Sequence, residues 1–170
     1  NIVIDDNTLP VITCSADTTQ FEDMGFSYAT VVVPDAVTSD NCGISTLTWT
    51  LSGATTESSP AAGINQLGTH IFNTGVTTAA YTLTDVAGNT APCSFIVTVN
   101  TPSPLTGSIV SQTNVACFGE STGVVIVAGS GGVSPYEYSL DGGAYQSSDT
   151  ISSLAQGSYT VTVRDSYLST

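Results

Sequence analysis

The chain has 170 residues, enough for one large or two small domains, with 27 Thr, 22 Ser and 16 Gly but one Met, one Arg and no Lys. That mixture is poor in helix formers and suits strands parted by tight turns, while a hydrophobic share of 41% is sufficient for a core. A net charge of −13, with Arg164 facing fourteen carboxylates, argues against nucleic-acid phosphates and anionic lipid heads as partners.

No apolar run approaches the ~20 residues of a membrane helix, so no membrane insertion is expected. No signal-peptide pattern opens the chain, and its natural start is expected upstream. The carboxylates serve solubility in a secreted protein or, where clustered, offer oxygens to Ca²⁺. Four Cys on a Lys-free chain point to an oxidising exterior. None lies in a Cys-x-x-Cys pair and only His70 could join them, which argues against zinc.

Residues 1–7 read as a leading linker. Strands are then predicted over 11–14, 28–33, 46–51, 69–72, 79–84 and 94–99. In the last, Phe95, Val97 and Val99 alternate with Ser94, Ile96 and Thr98, the period of a half-buried strand. Turn chemistry separates the strands: Pro34-Asp35, Asp40-Asn41-Cys42-Gly43, Asn73-Thr74-Gly75 and Ala87-Gly88-Asn89. Trp49, the single Trp, is expected to anchor this core, with ligand stacking as its alternative role. Residues 101–104 carry Pro102 and Pro104 and read as a stiff spacer between a domain at 8–100 and one at 105–170.

Beyond that spacer, strands are predicted over 108–113, 123–128, 136–140, 144–147 and 158–164. Asp141-Gly142-Gly143 is a hairpin turn signal. The whole reads as all-β, two tandem immunoglobulin-like β-sandwich domains. Each is small enough for a core alone to be marginal.

No catalytic constellation converges. His70 is the only imidazole and sits beside Ile71 and Phe72 in a predicted strand, where a structural role is expected. Nucleophile–base chemistry needs a base within hydrogen-bond reach of the hydroxyl or thiol, and no Gly-rich phosphate loop is present. The chain is not expected to be an enzyme.

Several motifs in the first half resemble those of the hyalin repeat (HYR) family: Pro10-Val11-Ile12-Thr13-Cys14, Asp40-Asn41-Cys42-Gly43, Tyr81 through Asn89, and Cys93-Ser94-Phe95. The resemblance implies an immunoglobulin-like sandwich used in extracellular adhesion, usually in tandem arrays. The stretch 53–67 is longer than that family's usual pattern and reads as an extra loop or hairpin. The second half resembles the SprB repeat through Cys117-Phe118-Gly119, Gly131-Gly132, Pro135 through Gly142, and Gly157 through Asp165. That resemblance implies a large surface adhesin of gliding Bacteroidota, exported by type IX secretion. Such repeats often carry a Cys just after the final Asp. None follows Asp165 here, which leaves Cys117 free or paired beyond Thr170.

Within the HYR-like half, Cys14, Cys42 and Cys93 are expected near one pole. Cys14–Cys93 is the predicted disulfide, with Cys42 taking one of those partners as the alternative. Asp5 and Asp6 in the leading linker, Asp40 with Asn41 in one loop, and Asp85 with Asn89 in another could gather oxygens for Ca²⁺ at that pole. Turn capping by Asp and Asn accounts for each piece taken alone. Thr18 (after Asp17) and Thr150 (after Asp149) resemble O-glycosylation acceptors of Bacteroidota, a short pattern that recurs by chance in a Thr-rich chain.

The expected function is a structural or adhesive tandem-repeat segment of a secreted protein at the surface of a Gram-negative bacterium, a stiff stalk or adhesion module. Its expected partners are neighbouring repeats of the same polypeptide or copies of itself. The alternatives are an extracellular filament subunit assembled by β-strand addition or domain stacking, and a carbohydrate-binding module using Tyr136, Tyr138 and Tyr145.

Overall fold

A computed structural model describes residues 6–170. It is all-β, with no helix among the described residues. Two compact units divide between Thr101 and Pro102.

The first unit contains β1 (Val11–Thr13), β2 (Thr18–Phe21), β3 (Tyr28–Val32), β4 (Val37–Ser39), β5 (Ile44–Gly53), β6 (Glu57–Ser58), β7 (Thr69–Asn73), β8 (Gly75–Asp85) and β9 (Thr90–Asn100). One sheet has the order β2-β9-β8-β5-β6, while β3 pairs β7 and β1 pairs β4. All ladders are antiparallel except β2 with β9, which runs parallel from Thr18↔Val97 to Phe21↔Asn100.

Period-2 alternation explains the packing. Thr77, Ala79, Tyr81, Leu83 and Asp85 of β8 turn inward, as do Phe95, Val97 and Val99 of β9. They meet Ala29 and Val31 of β3, Phe72 of β7, and Leu47, Trp49 and Leu51 of β5 in one core. The arrangement is a β-sandwich. Trp49 is buried, its ring edge-on to His70, and His70 lies edge-on to Phe72 with Nε2 at 3.1 Å from Glu57 Oε2. His70 is therefore a packing residue between two rings.

The long stretch between β5 and β7 begins as a short hairpin, with β6 pairing Thr50 and Leu51. Asn65 Nδ2 then donates to the carbonyls of Leu47, Pro60 and Ala62 at 3.1–3.2 Å, clamping the loop to β5. The Leu67 N–H donates to Tyr81 Oη at 2.9 Å. Burial pushes the Tyr81 phenol up, against that hydrogen bond, so it stays protonated.

The second unit contains β10 (Thr106–Thr113), β11 (Gly123–Ser130), β12 (Glu137–Leu140), β13 (Thr150–Leu154) and β14 (Val161–Arg164). Its sheets are β10-β11-β13 and β12-β14. Val125, Val127, Tyr138 and Ile151 form the buried core. The spacer is not a free linker along its whole length: Gly132 N–H donates to Ser103 O at 2.6 Å. Gly131 has φ +74, and a Cβ there would run into the Pro104 carbonyl, so the Gly131-Gly132 pair lets Ser103 and Pro104 fold against the second unit.

Several details differ from expectation: β2 and β4 have no counterpart among the predicted strands, and β14 begins at Val161 rather than at 158. Residues 144–147 make one isolated bridge, Gln146 with Tyr138, rather than a strand. The Gln146 amide side chain turns back onto the carbonyls of Ser148 and Thr150 and bends the chain away. The next strand, β13, has no counterpart among the predicted ones, because it offers one buried apolar residue, Ile151, and holds Ser153 at φ 62.

Candidate metal centre

Three loops of the first unit converge at its leading pole. The β4–β5 loop carries Asp40, the β8–β9 turn starts at Asp85, and Asp6 lies in the segment before β1. One carboxylate oxygen from each lies within 4.8 Å of the others. Asp5, the fourth predicted ligand, lies outside the described residues.

Each carboxylate is held by its own loop. Asp40 Oδ2 accepts from the N–H groups of Cys42 and Gly43, both at 2.8 Å. Asp85 Oδ1 accepts from Ala87 N–H and Asn89 N–H, both at 2.8 Å, and Oδ2 accepts from Asn89 Nδ2 at 2.8 Å. Asp6 Oδ1 accepts from Thr8 N–H at 2.9 Å and from Asn41 Nδ2 at 3.4 Å. Asn89 Nδ2 also reaches the carbonyls of Asp6 and Thr8, at 3.1 and 3.2 Å, which fastens the leading segment to the turn.

Turn capping thus uses one oxygen of Asp6 and one of Asp40. Among the described residues, Asp6 Oδ2 and Asp40 Oδ1 are buried without a hydrogen-bond partner. Asp85 is 1% exposed. Its burial acts to raise the pKa, but hydrogen bonds from Asn89, Gly88 and Ala87 outweigh it and hold the carboxyl below its ordinary range. The Thr8 N–H, then Cys42 and Asn41, hold Asp6 low as well. Ionised carboxylates this close repel one another, and a hard cation accepting their spare oxygens relieves both the repulsion and the orphaned atoms. These donors are all oxygen, as Ca²⁺ prefers.

Cys14 and Cys93 form a disulfide with Cα–Cα 5.8 Å across a sequence separation of 79. Cys42 and Cys117 are free and exposed. A hydrogen bond to Asp6, with the charges of Asp6, Asp40 and Asp85, pushes the Cys42 thiol up. That keeps it a thiol rather than a nucleophilic thiolate.

The remaining predicted residues do not converge on a site. Thr18 is half-buried in β2, and the neighbouring Asp17 carboxylate accepts from Ile96 N–H at 2.7 Å. Thr150 is exposed at the start of β13. Tyr138 is in the core, Tyr136 Oη donates to Gly131 O at 2.6 Å, and Arg164 covers the Tyr145 ring at 3.8 Å. These three rings do not make an exposed stacking platform.

One residue with a clear role escaped the sequence reading. Asp165 is 4% exposed; its Oδ1 accepts from Tyr167 and Ser169 N–H, both at 2.9 Å, and its Oδ2 from Val133 N–H at 3.0 Å. The signal was available as an Asp closing an alternating strand four residues before Ser169, the spacing of Asp85 and Asn89.

Comparison with known families finds the HYR domain over residues 5–99 and the SprB repeat over residues 109–145. No curated protein matches the chain. The HYR match covers more than half of the sequence, and the chain belongs to the HYR domain family, with a SprB repeat following in tandem.

Proposed function

We propose that this chain is a structural segment of a surface adhesin, a stalk that transmits tension from one end of the chain to the other. Both modules are adhesion-type repeats typical of cell-surface or extracellular proteins. The supporting observation is the Cys14–Cys93 bond. Tension entering before β1 passes through sulfur to β9 and out at Asn100, so the loop between the two cysteines, a sequence separation of 79, is shielded from it. With the bond reduced, the next resistance is β2 against β9. Because that pair is parallel, pulling on the start of β2 and the end of β9 shears all its hydrogen bonds together.

Within that stalk, Ca²⁺ on Asp6, Asp40 and Asp85 would pin the leading segment to two loops and stiffen the joint. The acidic, Lys-free composition supports an array kept soluble and apart.

Stretching the chain by its ends tests the mechanical reading. Unfolding of the first unit under reducing conditions should release roughly 260–280 Å more length than under oxidising ones, the extended length of the shielded loop at about 3.3–3.6 Å per residue. Equal release lengths would reject it.

A further inference from the structure

Charge is unevenly spread over the first unit. Its described carboxylates lie outside the strands, apart from Glu57 on the short β6 and Asp85 at the end of β8. Asp85 is buried, and Glu57 stands across from inward-facing Leu51 and reaches His70.

The solvent face of the large sheet is left bare of charge. Alternation against the buried Leu47, Trp49 and Leu51 turns Thr46, Thr48 and Thr50 outward on β5. Register carries the pattern across the sheet. Thr46 stands across from Thr84, and Thr84 from Thr90, while Thr48 stands across from Thr82 and Ser52 from Thr78. Among the described residues, no outward position of β5, β8 or β9 holds a charged side chain, and Thr is the commonest occupant.

Towards Asn100 this face becomes apolar. Val76 stands across from Thr98, Thr98 from Thr19, and Ile96 from Thr78. Phe21 follows two residues after Thr19, on the same side of β2. Val76, Ile96 and Phe21 are 54%, 40% and 39% exposed, so three large apolar side chains surround Thr98 in water.

Size and charge decide what this face suits. β5, β8 and β9 have 10, 11 and 11 residues. At about 3.4 Å per residue and about 4.8 Å between strands they make, with β2, a face of roughly 600 Å². Two such faces together bury about 1,200 Å², where specific protein interfaces begin. The opposite outer face, with Val32 and Ile71, has two strands of five residues each and offers only roughly 160 Å². Copies carrying a net charge of −13 repel one another, but the charge that keeps them apart elsewhere is missing from the large face. A two-fold interface must also be self-complementary. A hydroxyl both donates and accepts, so identical Thr arrays can bond each other.

We propose that the outer face of the β2-β9-β8-β5 sheet is a homotypic docking surface, on which two copies of this chain pair face to face and point the same way. An axis parallel to the strands sets Val76, Ile96 and Phe21 of one copy on the same patch of the other while the Thr arrays still overlap. An antiparallel pair centred on that patch leaves the arrays uncovered. The pairing is independent of the tension path through Cys14–Cys93 and joins chains side by side.

Sedimentation of the 170-residue chain carrying Cys42→Ser and Cys117→Ser tests the pairing, since those substitutions remove the free thiols that could cross-link copies. A dimer is expected, with a dissociation constant that falls at least about fivefold between about 0.05 and about 0.5 M NaCl, because salt screens the repulsion between acidic copies. Ile96→Glu sets like charges together and should weaken the dimer at least about tenfold. Val76→Glu should do the same and serves if Ile96→Glu shifts the Trp49 unfolding midpoint. Val32→Glu adds the same charge to the opposite face and should leave the dimer intact. Thr82→Cys, about 20 Å along β8 from Val76, should be joined to its own copy by a short bis-maleimide. A monomer at every salt concentration, a dimer that survives both Glu substitutions on the large face, equal weakening by Val32→Glu, or no cross-link at position 82 overturns the proposal.

Discussion

Replacing Cys14 and Cys93 together by serine removes the tie between the segment following β1 and the start of β9. The closed loop spans a sequence separation of 79, for which the chain-entropy relation gives roughly 4.5 kcal/mol at 25 °C. Measured disulfides commonly deliver ~2–4 kcal/mol, so a loss of about 3 kcal/mol is expected. For a domain of this size that lowers the melting temperature by roughly 10–20 °C. Trp49 is the only Trp and lies in the core of the first unit, so its fluorescence follows that unit alone. Urea titration should move the Trp49 midpoint down in the double variant, while amide exchange in β11 and β12 of the second unit stays in place. Coincident midpoints for oxidised protein and the double variant would refute the reasoning. Equal destabilisation by Cys42→Ser alone would show that the wrong cysteine had been assigned.

Acid should weaken the first unit. Asp6 and Asp85 are held below the ordinary carboxylate range when folded, while the unfolded chain takes up protons near pH 4. Their contribution is therefore complete above about pH 4 and lost as pH falls through the lower folded values. Asp85→Asn should flatten the acid limb of a Trp49-monitored titration, and an unchanged limb contradicts the assignment. For the proposed cation, 1 mM Ca²⁺ should raise the melting temperature of the first unit over that in EDTA. A Kd one hundredth of that concentration corresponds to about 2.7 kcal/mol. Asp40→Asn should abolish the difference, and identical melting in EDTA and Ca²⁺ rejects the site. In the second unit, Asp165→Ala orphans the N–H groups of Val133, Tyr167 and Ser169, at a cost of about 3 kcal/mol. Hydrogen exchange in β12 and β14 should accelerate accordingly, and wild-type rates would show that the turn does not depend on this carboxylate.

The sequence by itself determined the class of structure. Alternation in Tyr81 and Leu83, and in Phe95, Val97 and Val99, is a local property of each strand, and a strand with one buried face must show it. Motifs such as Asp40-Asn41-Cys42-Gly43 and Ala87-Gly88-Asn89 are equally local, because a turn is set by the few residues within it. Strands that rest on partners rather than on their own pattern stayed hidden. β2 is four residues long and held by β9, β4 is three residues long and held by β1, and β13 has one buried apolar side chain.

What only the tertiary structure decided is how distant residues meet. Asp6, Asp40 and Asp85 each read as an ordinary turn former, and local hydrogen bonds do occupy part of every carboxylate. That two of their oxygens are left buried and, among the described residues, unpartnered follows from three loops sharing one pole. Periodicity records which face a strand turns to the core, but a hydrogen-bonding edge has no side-chain signature of its own.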